Sequence, residues 1–310
     1  MSLASWYLNC YGLVYKLDQA IDRFNIICFR QVASLTTGFI LKLGGSMSEI
    51  EKIKEKAKDT WAGFIPFENL TGTAAPELIR FSKIRENDFI LDVACGTGVV
   101  ALTAARMGTT AVGSDITPAL VKRANENAKL RDLNIDFVEA DAEDLPFEDK
   151  KFDAVVSQFG HMFAPRPEIA LSEMLRVLKP GGTIAFSTWP PELFMGNFFK
   201  IIAKNNPKPP EGVPSPILWG DVNIVTQRLS PFVTDLHFDR GRVLAPALTP
   251  HHFLRMMEKN AGPLSDLITR LSQDPKRLED LRSDLLSLID IYFYNNFVKQ
   301  DFLITRAKKK

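Results

Sequence analysis

Between residues 70 and 190, short apolar runs alternate with stretches in which apolar residues recur every three or four positions. Phe89-Ile90-Leu91-Asp92-Val93 predicts a buried strand, Cys95-Gly96-Thr97-Gly98 a tight turn, and Val99 to Met107 the helix that the turn feeds. The unit repeats. Thr110 to Gly113 predicts a strand ending in Ser114-Asp115, and Thr117-Pro118 a helix start running to about Arg131. Ile135 to Glu139 and Phe152 to Ser157 predict two further strands, residues 167–178 a helix stopped by Lys179-Pro180-Gly181-Gly182, and Thr183 to Thr188 a fifth strand. Strands separated by helices predict an α/β fold with a mostly parallel sheet covered on both faces. In such sheets ligands bind beyond the carboxyl ends of the strands.

The pattern changes after Trp189. Residues 190–218 hold seven of the nineteen prolines, which leaves room for one short helix near Phe198 to Lys204. Val222 to Leu229, Thr249 to about Glu258 and residues 274–296 predict helices, Val233 to Val243 a strand or two, and Asp301 to Ala307 a last strand. The domain organisation expected is an accessory segment over residues 1–46 and a single domain over 47–310. Within that domain, 70–190 is the cofactor-binding core, 190–300 a helical elaboration and substrate cap, and 301–307 the closing strand.

Residues 1–46 stand apart, rich in aromatics (Trp6, Tyr7, Tyr11, Tyr15) and interrupted by Lys16, Arg23 and Arg30. Those charges break any apolar span long enough to cross a bilayer, and the lack of an early Lys or Arg argues against a signal peptide. Three readings remain: upstream sequence dispensable for function, a helical arm, or weak peripheral contact with a membrane. Binding of a cofactor is not expected to need this segment. Ser48 and Glu51 have the spacing of a capping box, and Ile50, Ile53, Ala57 and Trp61 recur at helical spacing after it.

Composition narrows the function. With 38 Lys and Arg against 37 Asp and Glu, the chain carries +1 and lacks the polybasic character of a nucleic-acid binder. Three cysteines, Cys10, Cys28 and Cys95, build neither a disulfide framework nor a metal cluster, so a reducing, cytoplasmic setting and no metal are expected.

The chemistry gathers at the glycine turn. Gly96 and Gly98 permit a tight bend and close ligand approach, and the following helix offers free N–H groups, although packing alone also explains glycines there. Ala101 still satisfies the dinucleotide pattern, so NAD stays open, whereas the lysine of a P-loop is missing. Asp92 before the turn would repel a pyrophosphate and suits a cationic ligand. Asp115, 17 residues after Gly98, has two oxygens able to accept both hydroxyls of a ribose.

Ile90 to Gly98 closely resembles motif I of class I S-adenosylmethionine-dependent methyltransferases. Asp115, the Ala140 to Phe147 segment, Phe152 to Ser157 and Glu173 to Gly182 match the family's later motifs in order and spacing. The set is most similar to the ubiquinone/menaquinone-biosynthesis type and its small-molecule relatives. The resemblance implies a Rossmann-like class I methyltransferase fold with a mostly parallel seven-stranded sheet and S-adenosyl-L-methionine as cofactor. It also implies roles. The backbone of Ala94, Gly96 and Gly98 would lie along the methionine and ribose. Asp92 would orient the amino-acid end and Asp115 the ribose. Asp141 and Ala142 would meet the adenine edge and Ile116 its face, with Ser157 and Gln158 under the sulfonium. Asp153 and Arg176 would be structural.

Methyl transfer from a sulfonium needs positioning and exclusion of water more than covalent help. A base, if one is used, is expected to be His161, with a loop histidine that shapes the cleft as the alternative. His237, His251 and His252 read as structural or surface residues. Phe194, Met195, Phe198, Phe199, Phe253, Met256 and Met257 form an apolar set that favours an apolar or aromatic, quinone-like small-molecule acceptor over a highly charged one. Ser157-Gln158-Phe159-Gly160 lacks the motif of nucleic-acid methyltransferases, and one cysteine near the cleft is too few for metalloid chemistry. The competing functions are an NAD-linked oxidoreductase and a non-catalytic adenosyl-binding regulator. Oligomeric state is left open.

Overall fold

The structure is a computed structural model that describes residues 47–310, so the three readings of residues 1–46, with Cys10 and Cys28, lie outside the described residues. Helix α1 (Glu49–Ala62) begins directly after Ser48, and α2 (Glu68–Thr71) and α3 (Ala75–Ser82) follow. The core then alternates: β1 (Phe89–Val93), α4 (Val99–Ala105), β2 (Thr110–Asp115), α5 (Pro118–Leu130), β3 (Asp136–Glu139), β4 (Phe152–Gln158), α6 (Pro167–Val177) and β5 (Leu178–Thr188). The strands lie in the order β3-β2-β1-β4-β5-β8-β6, where β6 is Val233–Pro246 and β8 is Phe297–Lys309. All neighbours from β3 to β5 are parallel, and β8 runs antiparallel to both β5 and β6. The expected seven-stranded, mostly parallel sheet is therefore present, with a two-residue strand β7 (Phe293–Tyr294) paired to β8 as an addition.

The apolar runs behave as buried parallel strands should, with four of five β1 residues and four successive residues of β4 buried. Helix α4 packs on β1 and β2, α5 on β2 and β3, and α6 on β4 and β5, while α3 packs on α4, β5 and β8. Asp153 accepts from Phe89 N at 3.0 Å and pairs with Lys179 at 2.6 Å, which ties β4 to β1 and β5. Thr117 and Pro118 do open α5, but the Thr117 side chain makes no capping bond, and the Asp115 carboxylate accepts the Thr117 N–H instead.

The carboxyl-terminal half is more ordered than its prolines predict. Helix α7 extends over Phe194–Asn205, four residues earlier than expected, and α8 (Val222–Leu229), α9 (Pro250–Asn260), α10 (Gly262–Leu271) and α11 (Pro275–Tyr292) follow. Pro190 and Pro191 stand before α7 and Pro207 after it, so they bracket that helix without interrupting it. Lys179 to Gly182 belongs to β5, where the pairing with β4 shifts register. Strand β6 is one long strand with a register shift between Thr234 and His237.

The last strand also starts earlier than expected. Thr188, the end of β5, pairs with Leu303, so residues 297–302 of β8 continue past the carboxyl ends of the parallel strands, carried by β6 along their whole length and by the short β7 at Phe297 and Val298. This arm brings β8 side chains over the region where the ligand site of such a sheet lies.

Arg176 staples the loop before β4 to α6, donating to Glu173 at 2.7 Å, to Asp149 at 2.8 Å, and to the carbonyls of Phe147 and Leu145 at 2.7 and 2.9 Å. Arg176→Met strands those acceptors, and the expected cost is about 1.5–3 kcal/mol for charge-assisted hydrogen bonds. Urea unfolding checks it, and an unchanged midpoint would show that the loop holds itself.

Candidate functional site

A cleft opens beyond the carboxyl ends of β1, β2 and β4. At one end stand three carboxylates. Asp92, at the fourth position of β1, is fully buried and accepts from Ala101 N at 3.1 Å with one oxygen, while Oδ1 has no partner. Asp115, at the end of β2, accepts from Gly96 N at 2.8 Å and Thr117 N at 2.9 Å. Asp141, after β3, accepts from Glu143 N at 2.9 Å and pairs with Lys54 of α1 at 2.5 Å.

The turn that these carboxylates hold is tight. Ala94, Gly96 and Gly98 all have positive φ (52°, 55° and 82°), and Phe159 at the end of β4 has φ 61°. Two non-glycine residues in the left-handed region, where the chain leaves β1 and β4, mark a locally strained backbone. The two glycines have different reasons. A Cβ on Gly96 would meet nothing within 4 Å, so its outer side is open. A Cβ on Gly98 would lie 2.6 Å from the Phe137 ring, so this glycine faces the core.

Of the residues expected in the site, Asp92, Ala94, Gly96, Asp115, Ile116, Asp141, Ala142, Gln158 and His161 line the cleft. Gly98 and Ser157 stand behind that lining: the Cα of Gly98 packs on Phe137, and the buried Ser157 hydroxyl accepts from His161 N at 3.1 Å.

The other end of the cleft is aromatic. Trp61 of α1 lies 4.6 Å from Phe163, Phe163 lies 5.6 Å from Phe199 of α7, and Phe159 stacks on Trp189 at 4.0 Å. Met195, Phe198 and Met257 complete the expected apolar set there, whereas Phe194 and Phe253 are fully buried core. His161 is 1% exposed, between Phe186 at 4.5 Å and Trp219 at 4.8 Å, and neither ring nitrogen has a partner. Arg228 lies over the far side of Trp219, 4.6 Å from the ring centre. Burial, and secondarily the Arg228 charge, push the His161 pKa down to about 3. The imidazole is neutral at physiological pH and is a weak proton acceptor. His237 pairs with Asp235 on the surface and His252 accepts from Leu248 N, so both stand outside the cleft. Burial, with Asp92 and Asp115 nearby, pushes the Cys95 thiol well above its ordinary range, which makes it inert. Among the described residues no group of side chains is arranged to hold a metal, and no helix is long and apolar enough to cross a membrane.

The family known as the methyltransferase domain matches residues 91–186, which carry all three carboxylates. An uncharacterized protein of Mycobacterium tuberculosis is 33% identical over 243 residues, spanning 78% of this chain and 89% of that protein. The chain carries a methyltransferase domain on the class I fold. A demethylmenaquinone methyltransferase of Thermus thermophilus is 43% identical over 104 residues, 33% of this chain and 47% of that one. A crystal structure of a putative methyltransferase from Bacillus halodurans superposes with a TM-score of 0.53 at 20% identity, covering 76% of this chain and 99% of that one, and shows the shared fold.

Two cleft residues of this methyltransferase-domain chain had no signal in the sequence. Lys54 pairs with Asp141 and with the buried Glu143, each at 2.5 Å, and Glu143 also binds Arg166 at 2.7 Å. On a helix of alternating Lys and Glu it looks like any solvated charge. Gln300 lies outside the expected last strand and reaches the cleft only through the β8 arm.

Burial, reinforced by the Asp115 charge, raises the Asp92 pKa to about 8, against the opposing pull of the Ala101 N–H. From about pH 4, where a free aspartate ionises, to about pH 8 the folded protein keeps a proton that the unfolded chain has lost. Stability of the ligand-free protein therefore falls as pH rises through that window, at up to about 1.4 kcal/mol per pH unit for this group. Burial raises Asp115 as well, in the same sense. Urea unfolding between about pH 5 and about pH 8 should show that decline, and Asp92→Asn should make it shallower. Equal slopes in the two proteins would mean that Asp92 is ionised throughout.

Proposed function

We propose that this chain transfers the methyl group of S-adenosylmethionine to a small, apolar or aromatic, quinone-like acceptor. The observation that carries the reading is the row of Asp92, Asp115 and Asp141 along one end of a cleft whose other end is aromatic. A dinucleotide would bring its pyrophosphate against three carboxylates. A cationic adenosyl sulfonium suits that row in charge and in the number of acceptors. The open side of Gly96 and the unpartnered Asp92 Oδ1 fit a ligand with a donor-rich amino-acid end.

When bound, S-adenosylmethionine supplies an electrophilic methyl group on sulfur. The chain's own part is to hold and to exclude. Asp115, oriented by the Gly96 and Thr117 N–H groups, keeps lone pairs on both oxygens for the ribose hydroxyls. Asp141 and the Ala142 N–H serve the adenine edge, Ile116 covers the ring, and the backbone of Ala94 and Gly96 runs along the sugar and methionine. Asp92, with its unpartnered Oδ1, can accept at the amino-acid end. At the acceptor end, Trp61, Phe163, Phe198 and Phe199 keep water from the reacting atoms and limit the approach of the acceptor. His161 works there as a neutral wall that shapes the acceptor, with its backbone fixed by Ser157.

Two measurements test this. Calorimetric titration should show one S-adenosylmethionine site per chain and weaker or absent NAD binding, and Asp115→Ala should cost about 1.5–3 kcal/mol of cofactor affinity. Preference for NAD would overturn the cofactor assignment. Once turnover is established on any ring acceptor, kcat/KM should show no ionisation near the ordinary histidine pKa of about 6.5, and such an ionisation, abolished in His161→Gln, would restore His161 as a base.

A further inference from the structure

A glutamine stands on β8 where the alternation calls for an apolar residue. Val298, Gln300 and Phe302 share one face of the strand, Val298 and Phe302 are fully buried, and Gln300 is 4% exposed. Gln300 lines the cleft, and its carboxamide makes no hydrogen bond to any described residue. The register explains how it gets there. Gln300 pairs with Val243 of β6, three residues beyond the point where β8 leaves β5, so it is held over the carboxyl ends of the parallel strands. Its same-face neighbour Phe302 lies edge-on to Phe159 and Trp189 at 5.2 and 6.2 Å, at the aromatic end.

The carboxamide keeps access to the cleft, but a polar group on an otherwise apolar, buried face packs less favourably than the leucine that would complete that face. Such a departure from pattern is expected where a residue serves a ligand. The second glutamine of the cleft has its donor committed, with Gln158 Nε2 donating to Thr71 O at 2.8 Å, so only its unpartnered Oε1 is left, as an acceptor. Lys54, the only Lys or Arg among the described lining residues, is taken up by Asp141 and Glu143, so the aromatic end carries no cation for an acidic acceptor.

We propose that Gln300 is a specificity-determining residue, whose carboxamide hydrogen-bonds a hydroxyl or carbonyl group on an otherwise apolar, uncharged ring acceptor. This rests on the methyltransferase reading above and adds the polar feature that the acceptor must carry. The carboxamide donates and accepts, so either group satisfies it. A bare hydrocarbon of the same size leaves it buried and unpaired, and that asymmetry is what discriminates.

Equilibrium dialysis of 2-naphthol and of naphthalene, each with S-adenosylhomocysteine present, tests the assignment on the full chain and on Gln300→Leu and Gln300→Met. The unaltered protein should prefer 2-naphthol by about tenfold or more. Both variants should bring the two ligands to within about threefold, keep the S-adenosylhomocysteine affinity, and melt at the same or a higher temperature. A preference that survives in the variants, no preference in the unaltered protein, binding of neither ring, or a lower melting temperature in both variants overturns the proposal. Lack of S-adenosylhomocysteine binding by the unaltered protein overturns the methyltransferase reading with it, whereas intact cofactor binding alongside any of those results overturns the Gln300 assignment alone.

Discussion

The buried carboxylates at the ends of β1 and β2 hold the glycine turn by accepting backbone N–H groups that a tight turn and a helix start leave free. Asp92 takes Ala101 N inside the first turn of α4, and Asp115 takes Gly96 N and Thr117 N, joining the turn after β1 to the start of α5. Three donors are thus satisfied by two side chains that sheet pairing has already placed side by side, with Asp92 opposite Gly113 and Asp115 two residues on. The arrangement costs stability in the ligand-free state, because both groups lose water and the Asp115 charge makes Asp92 harder still to ionise. A cationic ligand relieves that strain. The same two residues therefore shape the turn and set the sign of the charge it favours.

The second half of the cleft depends on a different constraint, the antiparallel insertion of β8 between β5 and β6. Because β8 enters from the carboxyl ends of the parallel strands, its first six residues have β6 as their long partner and overhang the site. The aromatic walls come from α1, the turn after β4 and α7, so four separate parts of the chain meet there. The motif-bearing core carries the row of carboxylates, and the less regular segments around it supply the apolar end. One short, contiguous stretch can thus be shared with relatives while the acceptor end changes around it.

This division also explains what was legible in the sequence. Strands β1 to β5 announce themselves as apolar runs between helical periods, and the three carboxylates sit at strand ends where local spacing places them. Asp153 and Arg176 were readable as structural for the same local reason. The packing of Gly98 and Ser157 was not, because it depends on a neighbour 39 residues away in one case and on the fold of the following turn in the other. Helix α10 was hidden by Gly262-Pro263, which reads as a break but serves as its start, since proline is tolerated in the first turn. Lys54 and Gln300 meet the cleft only through contacts across 87 residues and through a strand register, neither of which leaves a periodic trace.

The weakest boundary of the site follows from the same accounting. Helix α1 has no fully buried residue, yet Ile53, Lys54, Ala57 and Trp61 all line the cleft. Its ties include Lys54 on Asp141 and Glu143, Trp61 against Phe163, Lys58 at Glu139, and Lys56 and Thr60 at Asp266. The walls formed by β1, β2 and β4 are locked by continuous ladders and a buried core. Opening the cleft from the sheet side would break both at once, whereas α1, with no buried residue of its own, is held through side-chain pairs and ring contacts. Lys54 gives this boundary a link to the site's own chemistry. It occupies one oxygen of Asp141, the carboxylate assigned to the adenine edge, so a ligand drawing on Asp141 meets the same group that helps to keep α1 in place. Glu143, wholly buried and shared with Arg166, also holds Lys54, so α1 is tied to this end of the cleft through two carboxylates and not through Asp141 alone.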